Sequence, residues 1–280
     1  MPISAKTKIC LIIGDPIEHS LSPLIHNAAY KALGIEEKFV FVAARVKIEN
    51  LAFVVKAVRV MGIRGLTCTM PHKVKIVKYL DKIDEIAKEI GAVNTVVNEN
   101  GKLKGYNTDW IGAKEAIKKV TKIRGKKVGI IGAGGAARAI AFAMKKEGAQ
   151  IKIFNRDLKE AKKLAKKYEC SFGSFENLDE LKDFDIIINA TPLGMGPYKN
   201  ISPVKKEIFS EKHVVLDSVY IPFKTKMLKE AEEKGAKIIP GIEMLLYQAV
   251  PQFTLYTKRK PPIEAMRKAV EEFFKNEKEI

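Results

Sequence analysis

The chain has 280 residues, 46% hydrophobic and 30% charged, a composition of soluble globular proteins and a length that accommodates two domains. No run of about 18 apolar residues occurs, so no membrane-spanning helix is expected, and the apolar stretch Lys8–Ile13 is too short for a signal peptide. The formal net charge of +17 would suit a nucleic-acid partner, but only eight of the 50 basic residues are arginine and the lysines alternate with glutamates, so the expected role of the charge is a solvated surface that also attracts anionic ligands.

In chain order, a first strand is predicted over Lys8–Ile13 and ends at Gly14-Asp15-Pro16. Ser22-Pro23 then opens a helix, with serine as N-cap and proline at the first helical position, and this helix stops at Gly34. A second helix is expected over about Asn50–Val60, a strand over Ile63–Thr69, and a break at Met70-Pro71 followed by two short helices. Asn100-Gly101, between Asn94–Val97 and Lys102–Gly105, predicts a hairpin.

The rhythm changes near Trp110. A helix to Val120 and a basic connector lead into strands at Val128–Ile131, Gln150–Phe154, Phe184–Asn189, Val214–Asp217 and Ala236–Ile239, with helical stretches between them. Such alternation predicts a parallel sheet covered by helices. The chain from Glu243 reads as helix, broken at Pro261-Pro262. The expected fold is two-domain α/β: residues 1–109, joined by the C-terminal helices 246–280, and a Rossmann-type domain over 110–245, with the active site in the cleft between them.

Strand Val128–Ile131 runs directly into Gly132-Ala133-Gly134-Gly135-Ala136-Ala137, which opens a helix. This is the dinucleotide fingerprint in its strand–turn–helix context: the first glycine makes the turn, the second admits a pyrophosphate, and Ala137 lets helix and strand pack closely. An NAD site usually has an acid at the end of the next strand, about 20 residues on, to bind the ribose hydroxyls. Here that strand ends in Asn155-Arg156, and an arginine pairs with a 2′-phosphate, so NADP(H) is the expected cofactor.

Cys10, Cys68 and Cys170 are widely separated, without a Cys-x-x-Cys pair, and predict reduced thiols in a cytoplasmic compartment. His19, His26, His72 and His213 lack zinc-ligand spacing, so no metal is expected. Abundant lysine and glutamate beside only three glutamines resembles the composition of heat-adapted proteins.

Several segments resemble the shikimate dehydrogenase family: Gly14-Asp15-Pro16-Ile17-Glu18-His19-Ser20-Leu21-Ser22-Pro23, Thr69-Met70-Pro71-His72-Lys73, Gly91-Ala92-Val93-Asn94-Thr95, Gly105-Tyr106-Asn107-Thr108-Asp109, Asn189-Ala190-Thr191-Pro192-Leu193-Gly194-Met195, Val219-Tyr220, and Pro240-Gly241 followed by Gln248. The resemblance spans nearly the whole chain. It implies NADP-dependent, reversible reduction of 3-dehydroshikimate to shikimate, a step of chorismate and aromatic amino acid biosynthesis. It also implies a substrate-binding first domain and an NADP-binding second one, a small-molecule substrate with no nucleic-acid or membrane partner, and compatibility with a homodimer.

By the same resemblance Ser20 and Ser22 bind the substrate carboxylate, and Thr69, Lys73, Asn94, Asp109 and Gln248, with Tyr220 near the ring, bind the substrate hydroxyls. Lys73 is the implied proton donor, paired with Asp109, and Asp109 is compatible as well with an N-cap of the helix at Trp110. The implied cofactor contacts are Gly132, Ala133, Gly134, Gly135, Ala136, Asn155, Arg156, Asp157, Thr191, Ser218 and Gly241. Two positions depart from the family pattern. Thr67 stands where an asparagine is usual, and Asp157 follows Asn155-Arg156 where threonine or serine is usual; the aspartate is expected to cap the helix at Leu158 rather than to repel a phosphate. The alternatives are a quinate/shikimate dehydrogenase with relaxed choice of substrate or cofactor and, more distantly, a nucleotide-sensing DNA-binding regulator, for which no arginine-rich helix-turn-helix is found.

Overall fold

In the computed structural model, which describes residues 3–276, the chain divides into two compact units. One comprises the chain up to Thr108 together with the segment from Gln248 onward; the other is Asp109–Tyr247. The elements are β1 (Lys8–Gly14), α1 (Ser22–Ala32), β2 (Phe39–Arg45), α2 (Leu51–Val60), β3 (Gly65–Cys68), α3 (His72–Lys75), β4 (Lys82–Ile83), α4 (Glu85–Ile90), β5 (Thr95–Glu99) and β6 (Lys102–Tyr106). Then follow α5 (Asp109–Lys118), β7 (Lys127–Ile131), α6 (Gly135–Lys146), β8 (Gln150–Phe154), α7 (Leu158–Tyr168), β9 (Ser171–Gly173), β10 (Ile186–Asn189), β11 (Val214–Asp217), α8 (Lys226–Glu233), β12 (Lys237–Ile239), α9 (Gly241–Thr257) and α10 (Ile263–Asn276).

The first unit is built on a mixed six-stranded sheet of order β2-β1-β3-β5-β6-β4. Strands β2 and β3 lie parallel to β1, and β5–β6 is an antiparallel hairpin. Its turn residues, Asn100 and Gly101, both have positive φ, the backbone a two-residue hairpin demands. Because side chains alternate along a strand, Ile13, Leu66, Cys68 and Val96 face one side, where they bury Leu51, Val55 and Val58 of α2. An aromatic cluster forms separately among α1, β2 and α9: His26 stacks on Phe41 at 4.4 Å, and Tyr30 meets Phe253 at 5.6 Å. The C-terminal helices thereby complete the core of the unit that begins the chain.

Strand β2 was not among the predicted elements, and it occupies the edge of the sheet. The outer backbone groups of Phe41 are satisfied by one side chain: Asn27 of α1 donates from Nδ2 to the Phe41 carbonyl at 2.8 Å and accepts the Phe41 N–H at Oδ1 at 2.9 Å. A side-chain amide thus takes the place of a neighbouring strand, protecting an edge that would otherwise offer unpaired polar groups. Asn27→Ala leaves both groups without a partner and is expected to cost about 1–3 kcal/mol of folding free energy, read as a lower urea midpoint with unchanged m-value. A midpoint equal to wild type would show that water replaces the amide.

The start of α1 differs from expectation. Its first helical residue is Ser22, the N-cap position belongs to Leu21, and no side chain of the cap residue bonds the first turn. The Ser22 N–H instead meets the hydroxyl oxygen of Ser20, two residues upstream, at 3.3 Å. The cap role assigned to Ser22 therefore fails, because the turn preceding the helix already supplies an oxygen to that N–H. Asp109 likewise lies inside the first turn of α5 rather than at its cap.

The second unit contains a wholly parallel six-stranded sheet of order β12-β11-β10-β7-β8-β9. Strands β10 and β11 are buried along their whole length, as their uninterrupted apolar runs require in a sheet covered on both faces. The order in which strands are added reverses between β7 and β10, so the crevice outside the carboxyl ends of these two strands is the topological switch point.

Candidate functional site

In the second unit the glycine loop lies at that switch point. Gly132 directly follows β7 with φ of 116°, and a Cβ there would lie 2.9 Å from the carbonyl oxygen of Ala190. Gly134 is the N-cap of α6, and the direction in which its Cβ would point is open for 4 Å. The first turn of α6 contains no acidic residue. A backbone that a ligand can approach closely, leading into a 12-residue helix whose N-terminal dipole favours an anion, suits a pyrophosphate. Gly135 and Ala136 begin that helix, whereas Ala133 and Ala137 are buried in its packing on the sheet.

At the end of the adjacent β8, Asn155 is half-buried and Arg156 is exposed. The Asp157 carboxylate accepts from the Lys159 N–H at 2.9 Å and from Glu160 N–H at 3.5 Å, making it the side-chain cap of α7. Its own carbonyl receives Asn155 Nδ2 at 3.0 Å. The acid after Asn155-Arg156 is thus committed to a helix N-terminus.

Beyond β10, the Asn189 amide accepts at Oδ1 from both the N–H and the hydroxyl of Thr191, at 3.0 and 2.7 Å. Its Nδ2 donates to the Leu193 carbonyl at 2.9 Å and to Asp217 at 3.0 Å. The Ser218 N–H donates to the Asn189 carbonyl at 2.9 Å. Gly241 opens α9 so close to the carbonyl oxygens of Asp217 and Val219 that no side chain fits. Thr191, Ser218 and Gly241 are therefore brought to one end of the sheet, the end that carries the glycine loop. Tyr220 lies just past β11, half-buried.

In the first unit, three chain segments meet at the carboxyl ends of β1 and β3. The Asp15 N–H donates to the Met70 carbonyl at 3.0 Å, the Thr69 N–H to Ile13 at 3.0 Å, and the Val93 N–H to the Lys73 carbonyl at 2.8 Å. These bonds join the segment carrying Ser20 and Ser22 to the one carrying Thr69 and Lys73, and the latter to the one carrying Asn94. Lys73 is half-buried in the short α3. Asn94 is buried; its Nδ2 donates to Thr108 Oγ1 at 2.9 Å and to Gln248 Oε1 at 3.2 Å, and its Oδ1 accepts from Thr95 and from the Thr108 N–H, both at 2.8 Å. Two predicted residues 154 positions apart, Asn94 and Gln248, thus share one buried cluster.

Several members of these networks were not anticipated. Thr108 binds both Asn94 and Gln248, and Gln252 Nε2 donates to Thr95 at 2.8 Å, holding the neighbour of Asn94. Thr67, the departure from the family pattern, bonds the Tyr256 hydroxyl at 2.8 Å within the core. Thr108 lies in the segment Gly105-Tyr106-Asn107-Thr108-Asp109, whose likeness to the family is a signal that points to it. The partners on α9 carried no local signal. All three cysteines are held as thiols: burial pushes Cys10 up to about 12 and Cys170 up to about 11, and raises Cys68 as well. No helix among the described residues is long and apolar enough to cross a membrane.

Comparison with known proteins places this geometry. Residues 12–96 match the shikimate dehydrogenase substrate binding domain, residues 114–194 match shikimate / quinate 5-dehydrogenase, and residues 241–271 match the shikimate 5′-dehydrogenase C-terminal domain. The shikimate dehydrogenase (NADP(+)) of Methanocaldococcus jannaschii is 46% identical over 96% of this chain and 98% of its own. A crystal structure of a shikimate dehydrogenase in complex with NADP+ superposes with a TM-score of 0.90 at 44% identity, covering 98% of each chain. The shikimate 5-dehydrogenase of Thermus thermophilus, in complex with NADP(H) and shikimate, gives a TM-score of 0.87 at 34% identity over 95% of this chain and 99% of its own. With relatives this similar over nearly all of its length, the chain belongs to the shikimate dehydrogenase family.

Proposed function

We propose that this chain is an NADP-dependent oxidoreductase of the cytoplasm that interconverts 3-dehydroshikimate and shikimate. The observation carrying most weight is its likeness, along 96% of its length and at 46% identity, to a relative named for that activity and cofactor. The local chemistry agrees: an open glycine loop at a parallel-sheet switch point suits a dinucleotide, and Arg156 stands where an NAD site would have an acid. We assign NADP to the second unit and the substrate to the first.

Bound NADPH supplies the hydride that reduces the substrate carbonyl. Gly132, Ala133, Gly134, Gly135 and Ala136 receive the pyrophosphate at the start of α6, and Arg156 pairs with the 2′-phosphate beside Asn155 and the capping Asp157. Thr191, Ser218 and Gly241 bound the remainder of the cofactor. The hydroxyls of Ser20 and Ser22 hold the substrate carboxylate at the start of α1, where the helix dipole adds to their attraction. Thr69, Asn94 and Gln248 hold the ring hydroxyls. Lys73 delivers a proton to the carbonyl oxygen as negative charge develops there, and Asp109 stabilises its ammonium group.

Initial rates of NADP+ reduction provide the test. Shikimate is expected to be oxidised readily, with quinate, or NAD+ in place of NADP+, slower by about tenfold or more in kcat/KM. Equal rates with quinate would move the chain to the broader quinate/shikimate class, and no turnover of shikimate would overturn the assignment.

A further inference from the structure

Asp217 ends the apolar strand β11, is fully buried, and is given no role toward cofactor or substrate above. An uncompensated carboxylate in a sheet interior is costly, and here three donors satisfy it. Asn189 Nδ2 and the Val219 N–H both donate to Oδ1 at 3.0 Å, and the Thr225 hydroxyl donates to Oδ2 at 2.7 Å. Each donor anchors a different segment. Asn189 organises the turn Thr191–Leu193 after β10; Val219 lies in the turn after β11; Thr225 caps α8 by accepting the Leu228 N–H at 3.3 Å. The α9 start at Gly241 packs against the Asp217 carbonyl oxygen itself. Burial pushes the Asp217 carboxyl up to about 7, against the downward pull of these three hydrogen bonds.

The sheet topology says what these segments face. The pyrophosphate loop follows β7, and the 2′-phosphate residue Arg156 follows β8 on one side of it. The other half of a dinucleotide laid across the switch point extends over the ends of β10 and β11. We infer that Asp217 is a positioning residue for the nicotinamide half of the cofactor site, tying the turns after β10 and β11 and the start of α8 into one preorganised wall. This inference rests on the dinucleotide reading given above. In this role Asp217 acts through Asn189, which holds Thr191, and through Val219 and Thr225.

The test compares two ligands by calorimetric titration of the full chain: NADP+, which spans the site, and 2′,5′-ADP, which carries the adenosine and 2′-phosphate but no nicotinamide. Asp217→Ala is expected to weaken NADP+ about tenfold while 2′,5′-ADP stays within about twofold. Asp217→Asn, which keeps an acceptor oxygen for Asn189 and Val219, should recover most of the loss. Should Asp217→Ala not fold, Thr225→Val, which removes one of the three bonds, is expected to weaken NADP+ about threefold with the same indifference of 2′,5′-ADP. Equal weakening of both ligands, or unchanged NADP+ binding, would overturn the positioning role. Wild-type protein that binds neither ligand would instead overturn the dinucleotide reading, and this inference with it.

Discussion

Replacing Lys73 with alanine is expected to lower kcat by about 10²–10⁴-fold while the KM for shikimate moves far less. The side chain is half-buried on the short helix α3, and its carbonyl holds the Val93 N–H, which fixes the lysine against the segment that carries Asn94. An ammonium group in that setting can stabilise an alkoxide as it forms, an interaction stronger in the transition state than with bound substrate; its loss therefore appears in kcat. If Lys73 merely bound a substrate hydroxyl, KM would rise and kcat would hold. Asp109→Asn separates two further roles. A loss smaller than that of Lys73→Ala means that the carboxylate only orients the ammonium group, and a comparable loss means that the two act as a unit. In the latter case the double variant is no slower than the poorer single one, since paired groups are strongly non-additive. Both constants are measured for all three variants with NADP+ saturating.

Arg156→Ala is expected to raise the KM for NADP+ by about one to two decades, the loss of a charge-assisted phosphate contact worth about 1.5–3 kcal/mol, and to leave that for NAD+ nearly unchanged. Arg156 is exposed at the end of β8, so it can be removed without disturbing the core, and the change reads out cofactor choice rather than folding. Equal damage with both cofactors would refute the assignment. The neighbouring Asp157 sharpens the comparison. Its carboxylate bonds the Lys159 and Glu160 N–H groups, and threonine is also a competent N-cap, so Asp157→Thr should bind NADP+ within about twofold of wild type. Markedly tighter binding would mean that the carboxylate repels the 2′-phosphate despite its helix bonds.

Much of this molecule was legible in local patterns. The run Val128–Ile131 into Gly132-Ala133-Gly134-Gly135 declared strand, turn and helix, because the apolar run, the glycines and the helix-forming alanines each point to the same backbone. The hairpin at Asn100-Gly101 followed equally directly from two residues that tolerate positive φ, and the cap at Asp157 from an acid placed before a helix. Strand β2 and the cap at Ser22 show where such reasoning stops. Phe39–Arg45 becomes an edge strand through pairing with β1 and through Asn27, 14 residues away, and the first N–H of α1 is met by Ser20 rather than by the expected cap.

The same limit applied to the site. The resemblance to the family singled out Asn94 and Gln248, but that one amide donates to the other depends on α9 returning to the unit that begins the chain. Asp217 gave no signal at all, since in the sequence it is one acid closing an apolar strand. Its three donors come from Asn189, Val219 and Thr225, and only folding gathers them around it. Backbone propensity, glycine freedom and caps act over a few residues and are written locally. Satisfying a buried polar group depends on which distant segments the packing delivers, and that was decided by the tertiary structure alone.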